Sequence, residues 1–147
     1  MSMDANDARK RNHDIDRGEA IAIARELCHE EAWPWHEPAS ARRWPLIGDW
    51  RVASSGDEQG RRSWVIVSRA TGDVLETGAF CIGRDEALRI GKVAMVDRPD
   101  DNLEVKPSKL FTERASWTVS WLGGIPGWRV VIDATSGEVL HVWHGLR

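Results

Sequence analysis

The sequence predicts an α+β protein made of two α-β-β-β repeat units, each with a helix packed on one face of an antiparallel sheet. Three observations lead to this prediction. The stretch "WVIVSRATGDVLETG" at 64–78 returns as "WRVVIDATSGEVLHV" at 128–142. Ahead of these stretches, "DRGEAIAIARELC" at 16–28 is matched by "GRDEALRIGKVAM" at 83–95. Apolar residues alternate in the first pair of stretches and recur with helical spacing in the second pair.

Each unit begins with an amphipathic helix. The apolar stripe of the first helix begins at Ala20 and ends at Cys28, and that of the second begins at Ala87 and ends at Met95. Spacings of three and four residues place each stripe on one side of its helix, and charged residues lie on the other side. We therefore expect both helices to pack on a sheet.

A linker, a strand and a strand hairpin follow each helix. Trp50 in "WRVAS" and Trp117 in "WTVSW" keep the offset of 67 residues that relates the helices, whereas the hairpin residues Trp64 and Trp128 are 64 apart. We interpret Ser136 as an additional turn residue, which gives the second hairpin a three-residue loop and the first a tighter one. We expect Trp50 to be equivalent to Trp117 and Trp64 to Trp128, with the hairpin tryptophans buried beneath the helices.

The repeats also predict the domain organisation: a flexible tail at 1–16, a first repeat at 17–82 and a second at 83–147. A unit of about 65 residues buries a poor fraction of its surface alone. The units therefore share one core or join their edges into one sheet, and the pattern is consistent with both. An apolar run long enough for a signal peptide or a membrane helix is lacking, so we expect a cytoplasmic protein with no membrane partner.

The composition narrows the classes of partner. The formal net charge is −3 and the pI is about 5.9, which argues against a nucleic-acid partner. The chain has nine Trp, two Phe and no Tyr, and Trp serves both as core residue and as interface anchor. The two cysteines have no Cys-x-x-Cys spacing, and Cys28 on the apolar helix stripe is predicted to be an inert core thiol.

Motifs for catalysis or metal binding are not found in the sequence. His141 and His144 are three apart in a predicted strand and point to opposite faces. His29 and His36 lie near glutamates but lack the spacing of a zinc motif. The glycine-rich "WLGGIPGW" joins two strands rather than a strand and a helix, so it lacks the geometry that cradles phosphate. We predict no catalytic residue, no metal site and no cofactor.

The segment "HEEAWPWHEPASARRWP" at 29–45 is the predicted partner-binding region. Its prolines stiffen the chain, its tryptophans are of the type enriched at binding hot spots, and glutamates surround them. The matching stretch "DRPDDNLEVKP" at 97–107 is again acidic and punctuated by proline. The tryptophans at 33 and 35 are equally consistent with a lid on the core. The candidate binding residues are Glu30, Glu31, Trp33, Trp35, His36, Glu37, Asp97, Asp100 and Asp101.

These motifs carry a resemblance to a known family. The "EAIAIA" and "EALRIG" helices, the "W-x-V" strands and the hairpin "WRVVIDATSGEVL" resemble the PepSY-type domain over most of 17–147. The first hairpin departs from the pattern with Ser68-Arg69, where an acid is favoured. The resemblance implies a non-catalytic α+β domain that binds or restrains other proteins, often peptidases. In size, charge and absence of catalytic motifs the chain is also similar to small bacterial immunity proteins, which neutralise a toxin inside the cell.

We therefore expect a non-enzymatic binding protein. The leading hypothesis is an immunity protein that binds a cognate bacterial toxin and masks its active site. The alternative is a PepSY-like regulatory module that restrains a peptidase or senses a ligand, and a third possibility is an enzyme of unknown reaction. The expected partner is a protein, either a toxin or a peptidase, and the oligomeric state is left open.

Overall fold

The computed structural model describes residues 14–43, 48–95, 102–107, 115–121 and 127–145. These residues confirm the α+β class and the repeated helix-plus-sheet units. Neither helix within the described residues is long and apolar enough to cross a membrane. The elements are, in order, α1 (Arg17–Glu31), β1 (Ser40–Arg43), β2 (Trp50–Ala53), β3 (Arg62–Val67), β4 (Val74–Phe80), α2 (Arg84–Ala94), β5 (Leu103–Pro107), β6 (Ser116–Trp121), β7 (Gly127–Asp133) and β8 (Val139–Gly145).

Strands β1 to β4 form one sheet in chain order and β5 to β8 form another, so the repeats do not share a continuous sheet. The buried apolar residues form a separate cluster for each repeat. The first compact unit runs to Asp57 and resumes over Arg62–Gly78, and the second comprises Glu58–Arg61 and the chain from Ala79. The boundary therefore lies inside β4, a few residues before the 82/83 division that the sequence suggests.

Small side chains on α1 form the centre of the first core. Ala20, Ala24 and Cys28 are completely buried, and they cluster with Val52 of β2 and Val65 of β3. Because these helix residues are small, the helix backbone can lie close to the sheet. The core thiol predicted at Cys28 is thus buried as expected.

Ile15 and Asp16, immediately before α1, fold with the first unit, although the sequence suggests a tail as far as 16. Ile15 packs against the first core, and its N–H donates to the Arg69 carbonyl at 2.8 Å. The Asp16 carboxylate accepts from the Glu19 N–H at 2.8 Å, and the Glu19 carboxylate accepts from the Asp16 N–H at 3.0 Å. This reciprocal capping box fixes the start of α1.

A residue from a distant loop caps α2. Gly83 occupies the N-cap position of α2 and has no side chain with which to cap it. Gln59, in the connection between β2 and β3, accepts from the Asp85 N–H through Oε1 at 2.8 Å and donates to the Asp85 carboxylate at 3.1 Å. A Cβ on Gly83 would stand 2.6 Å from the Cβ of Gln59, so the glycine is required for this approach.

The strand tryptophans confirm one predicted equivalence. The Trp50 indole N–H donates to the Ile15 carbonyl at 3.0 Å, and the Trp117 indole N–H donates to the Ile82 carbonyl at 3.0 Å. In both units the indole thereby holds the chain that leads into the helix. Trp50 and Trp117 therefore have the same role at the predicted offset.

The predicted equivalence of Trp64 and Trp128 is wrong by one residue. Val65 pairs with Val52 in the first sheet, and Val130 pairs with Val119 in the second. Val65 is therefore equivalent to Val130, and Ser63, two residues earlier, is equivalent to Trp128. Because successive strand residues point to opposite faces, a shift of one residue transfers a side chain to the other side of the sheet.

Both hairpin tryptophans are buried as predicted, but on different faces. Trp64 is 7% exposed and Trp128 is 8% exposed. Trp128 belongs to the cluster beneath α2. Trp64 alternates with the helix-facing Val65 and covers Gly78 of β4, where an added Cβ would stand 2.3 Å from the indole Nε1. Only Trp128 therefore lies beneath a helix.

The two hairpin turns are alike, so Ser136 is not an additional residue. The Gly72 N–H donates to the Ser68 carbonyl at 2.8 Å, and the Gly137 N–H donates to the Asp133 carbonyl at 2.8 Å. The glycines have φ of 80° and 82°, a backbone conformation that other residues rarely adopt. The extra length of the first repeat therefore lies before β3 rather than in the turn.

Each predicted linker contains a strand, so the repeats are α-β-β-β-β rather than α-β-β-β. In β1 only Ala41 is buried, and β5 ends at Pro107. Both strands lie at the edge of their sheet and carry charged side chains, as edge strands commonly do. Alternation over so few residues is too weak to reveal a strand from sequence.

Candidate functional site

The candidate site begins where α1 ends. Ala32 adopts a left-handed conformation with φ of 59°, and the Trp33 N–H donates to the Cys28 carbonyl at 2.9 Å. Pro34 follows, and proline cannot continue a helix. The chain therefore turns sharply into residues 32–39, which we call the tryptophan loop.

Hydrogen bonds from β3 and from the connection after β2 hold the backbone of the tryptophan loop. The buried Ser63 hydroxyl donates to the Pro34 carbonyl at 2.7 Å. The Ser55 N–H donates to the His36 carbonyl at 3.0 Å, and the Ser55 hydroxyl donates to the Pro38 carbonyl. A loop fixed in this way loses little conformational entropy when it binds a partner.

The two tryptophans of the loop are half-buried. Trp33 and Trp35 pack against the first core, and each keeps part of its surface exposed. The two interpretations from sequence, a lid on the core and an interface anchor, each describe part of this environment. The same rings contribute to packing and present apolar surface to solvent. Tryptophan suits this dual position because one ring can be packed and accessible at once.

Glu37 organises the polar side of the loop. Its Oε2 accepts from the Trp35 indole N–H at 2.6 Å and from the Arg25 Nε at 3.0 Å. The Arg25 guanidinium also lies 5.9 Å from the centre of the Trp35 ring. The hydrogen bonds from Trp35 and Arg25 lower the pKa of Glu37. Because the side chain is more than half exposed, solvent screening limits what this pair adds to stability.

Exposed glutamates surround the start of the loop. Glu30 and Glu31 lie in the last turn of α1 and are exposed. The carbonyl end of a helix carries partial negative charge, so carboxylates there are disfavoured. His29 in the same turn is the type of residue that this end favours. The placement of the two glutamates is therefore not explained by helix stability.

The structure places the predicted site residues as follows. Glu30, Glu31, Trp33, Trp35, His36 and Glu37 are brought together at the end of α1 and in the tryptophan loop. Asp97, Asp100 and Asp101 lie outside the described residues. Sequence reasoning missed Arg25, although it is the single arginine among five glutamates between 19 and 37.

Three features of the described residues bear on metal binding and nucleophilic chemistry. They contain no group of three or more His, Cys, Asp or Glu side chains that could hold a metal ion. Burial and then the Asp133 charge raise the pKa of the Cys81 thiol, which is the opposite of what a reactive cysteine needs. Cys28 is enclosed in the first core, and the Ser63 hydroxyl donates to a backbone carbonyl.

Comparisons with known proteins find no family model that matches the sequence, and no curated protein or solved structure that is similar to it. What the chain does is therefore inferred from its own residues.

Proposed function

We propose that the chain is a non-catalytic protein that binds another protein through the end of α1 and the tryptophan loop. The single observation that supports this most directly is a pair of half-exposed tryptophans, Trp33 and Trp35, on a backbone held by hydrogen bonds. Anchors of this kind dominate binding energy when they enter a pocket on a partner. Their fixed position reduces the entropy lost on association.

The charges of the site indicate a basic partner surface. Glu30 and Glu31 lie at a helix end that disfavours negative charge. A basic partner would compensate for that cost and would be steered to the site as it approaches. Enzymes that act on nucleic acids present such basic surfaces because they neutralise phosphates. The proposed partner is therefore a toxin with a basic active-site cleft, and the chain is its immunity protein.

The alternative is a PepSY-like regulatory module that restrains a peptidase. The residues that carry this resemblance have structural roles in the second hairpin. The Asp133 carboxylate accepts from the Thr135 N–H at 2.8 Å and the Ser136 N–H at 3.2 Å, which fixes the turn. The signature thus supports a hairpin rather than one particular function, and the alternative is distinguished by the class of partner.

Affinity capture from the source cell, with the whole chain as bait, identifies the partner. Inhibition of a captured nucleic-acid-cleaving toxin supports the immunity function, and inhibition of a captured peptidase supports the alternative. Association rates are then measured at low and high salt for the parent and for the double variant Glu30→Gln/Glu31→Gln. The double variant should associate more slowly and show a weaker salt dependence. Glu138→Gln, at an exposed position of the second unit, is the matched control.

Truncation of the anchors tests the tryptophan loop itself. Trp33→Ala should weaken binding by about 2 kcal/mol or more, mainly through faster dissociation. Because Trp33 also packs on the core, Trp33→Phe is measured beside it, with a thermal melt of each variant. Variants that fold like the parent and also bind like the parent would contradict the proposed interface.

A further inference from the structure

The face of the first sheet opposite α1 concentrates arginine side chains. Arg42 of β1 lies directly opposite Arg51 of β2, and both alternate with the helix-facing residues Ala41 and Val52. Arg62 of β3 is three residues from the helix-facing Val65, so it points to the opposite face as well. Like charges directly opposite each other on a sheet are destabilising. Arg42 and Arg51 thus place two like charges side by side on this face. We call this surface the arginine face.

Trp64 helps to fix the central arginine. The Arg51 guanidinium lies 5.8 Å from the centre of the Trp64 ring. Stacking on an aromatic ring orients the planar guanidinium and leaves its edge able to donate hydrogen bonds. Burial and then the charge of Arg62 lower the pKa of Arg51, which is consistent with crowding of positive charge on this face.

A depression opens between the paired arginines. It is lined by Ser40, Arg42, Arg51 and Ala53 and has a volume of about 180 Å³. Ser40 and Ala53 are themselves paired across the two strands, and their small side chains leave room beside the guanidinium groups. The space is several times the share of volume that one water occupies in the liquid, which is about 30 Å³. A tetrahedral oxyanion can fit there.

The second sheet provides an internal comparison. The pairing of Val105 with Val119 in the second sheet corresponds to that of Ala41 with Val52 in the first. The positions beside this pair, which are equivalent to the lining of the depression, carry different side chains. The Lys106 Nζ lies 3.3 Å from the Glu104 Oε1 on the same strand, so the charge of this lysine is balanced. At these positions the second sheet therefore has one basic side chain, Lys106, where the first has the facing pair Arg42 and Arg51. The residues equivalent to the lining of the depression are Glu104, Lys106, Thr118 and Ser120.

We propose that the arginine face binds the phosphate group of a small phosphorylated ligand. Guanidinium groups match phosphate oxygens in charge and in geometry, and the Ser40 hydroxyl offers a further donor. The facing side chains of Arg42 and Arg51 present two positive charges, and a phosphate monoester carries nearly two negative charges. This site is distinct from the tryptophan loop, and its existence does not depend on the proposed function.

Inorganic phosphate is the probe for the first experiment. The Nε–H signals of Arg42 and Arg51 are followed by ¹⁵N NMR while phosphate is added to the whole chain. Saturable shifts at about pH 7.5 should weaken at about pH 5.5, because inorganic phosphate is mostly a dianion at the higher pH and almost entirely a monoanion at the lower one. Besides the arginines, the arginine face carries Glu76 of β4, which is two residues from Gly78 and so lies on the same face.

Acetate is titrated in parallel because its charge is constant over the same window. Saturable shifts that are equal at the two pH values, or equal for acetate and phosphate, would overturn the assignment to phosphate. Shifts that rise without saturation in both titrations would overturn the site itself.

Variants on the arginine face and on the second sheet complete the test. Arg42→Gln should weaken phosphate binding about tenfold or more, since a charge-assisted hydrogen bond is lost. Arg51→Lys keeps the charge but not the planar fork, and should also weaken binding. Lys106→Gln, at the position equivalent to Arg42, should bind like the parent. Parent-like binding by Arg42→Gln would overturn the proposal, and this exposed side chain can be changed without disturbing the core.

Discussion

Gly91 of α2 lies directly against Val119 of β6, and a Cβ placed on the glycine would stand 2.8 Å from the Cβ of Val119. Alanine in place of a helical glycine ordinarily stabilises a protein by about 0.5–1 kcal/mol. Here we predict the opposite sign, because the added methyl group must displace a buried strand. Gly91→Ala should lower the free energy of unfolding by about 1–3 kcal/mol. Gly18→Ala in α1, where the nearest atom is 3.5 Å away, is the control and should be neutral or stabilising in the same urea titration.

The cap that Gln59 provides to α2 gives a second prediction. Gln59→Ala removes the acceptor for the Asp85 N–H and should cost about 1 kcal/mol, as loss of an N-cap usually does. Asp16→Ala, which removes the cap of α1, is the matched variant and should cost a similar amount. Urea unfolding followed by circular dichroism measures both variants. A parent-like midpoint for Gln59→Ala would show that α2 does not depend on this contact.

Trp64 and Gly78 give a third prediction, on the face of the first sheet opposite α1. Trp64→Ala should cost about 3–5 kcal/mol, because a buried ring is removed. Gly78→Ala should also destabilise the parent, since its methyl group would collide with the indole. In the Trp64→Ala background the collision disappears, so the same change should cost far less. Additive free energies in this double-mutant cycle would place the ring elsewhere.

The hydrogen bonds of Glu37 predict a dependence on pH. They lower its pKa in the folded state below the ordinary value of 4.5. Their stabilising effect is therefore complete above that value and is lost as the pH falls through the lowered pKa. Glu37→Gln should be less stable than the parent at about pH 7 and should approach it at about pH 3. Thermal melts at the two pH values measure this, and a difference that grows on acidification would contradict the contact.

The helices and the Trp50–Trp117 equivalence could be predicted from sequence because helical spacing and isolated tryptophans are strong local signals. The relation of Trp64 to Trp128 could not be predicted, because both tryptophans begin similar sequence stretches and therefore look equivalent. The partner strand decides which residue faces the helix, and Val65 opposite Val52 sets that choice. A pattern read along one strand does not contain the pairing across strands.

The candidate site likewise has a part that can be recognised from the sequence and a part that only the fold brings together. Residues 30–37 are contiguous in the chain, so an unusual run of tryptophan, proline and glutamate is enough to group them, and their role in binding stays a prediction. Arg25 joins that segment only because the tryptophan loop returns along α1 and brings Glu37 to it. Arg42, Arg51 and Arg62 come together through strand pairing, and each looks like an ordinary surface residue in its own stretch. Sites assembled across strands are therefore the ones that sequence reading misses.

The division of β4 between the units has a consequence for any attempt to separate the repeats. A fragment cut at the repeat boundary, 83–147, would lack Phe80, whose ring meets Trp117 edge-on at 5.4 Å. It would also lack Gln59 and would begin with an uncapped helix. The second half of the chain therefore depends on residues that belong to the first half. The second half is therefore not a unit that could be transferred intact without residues of the first.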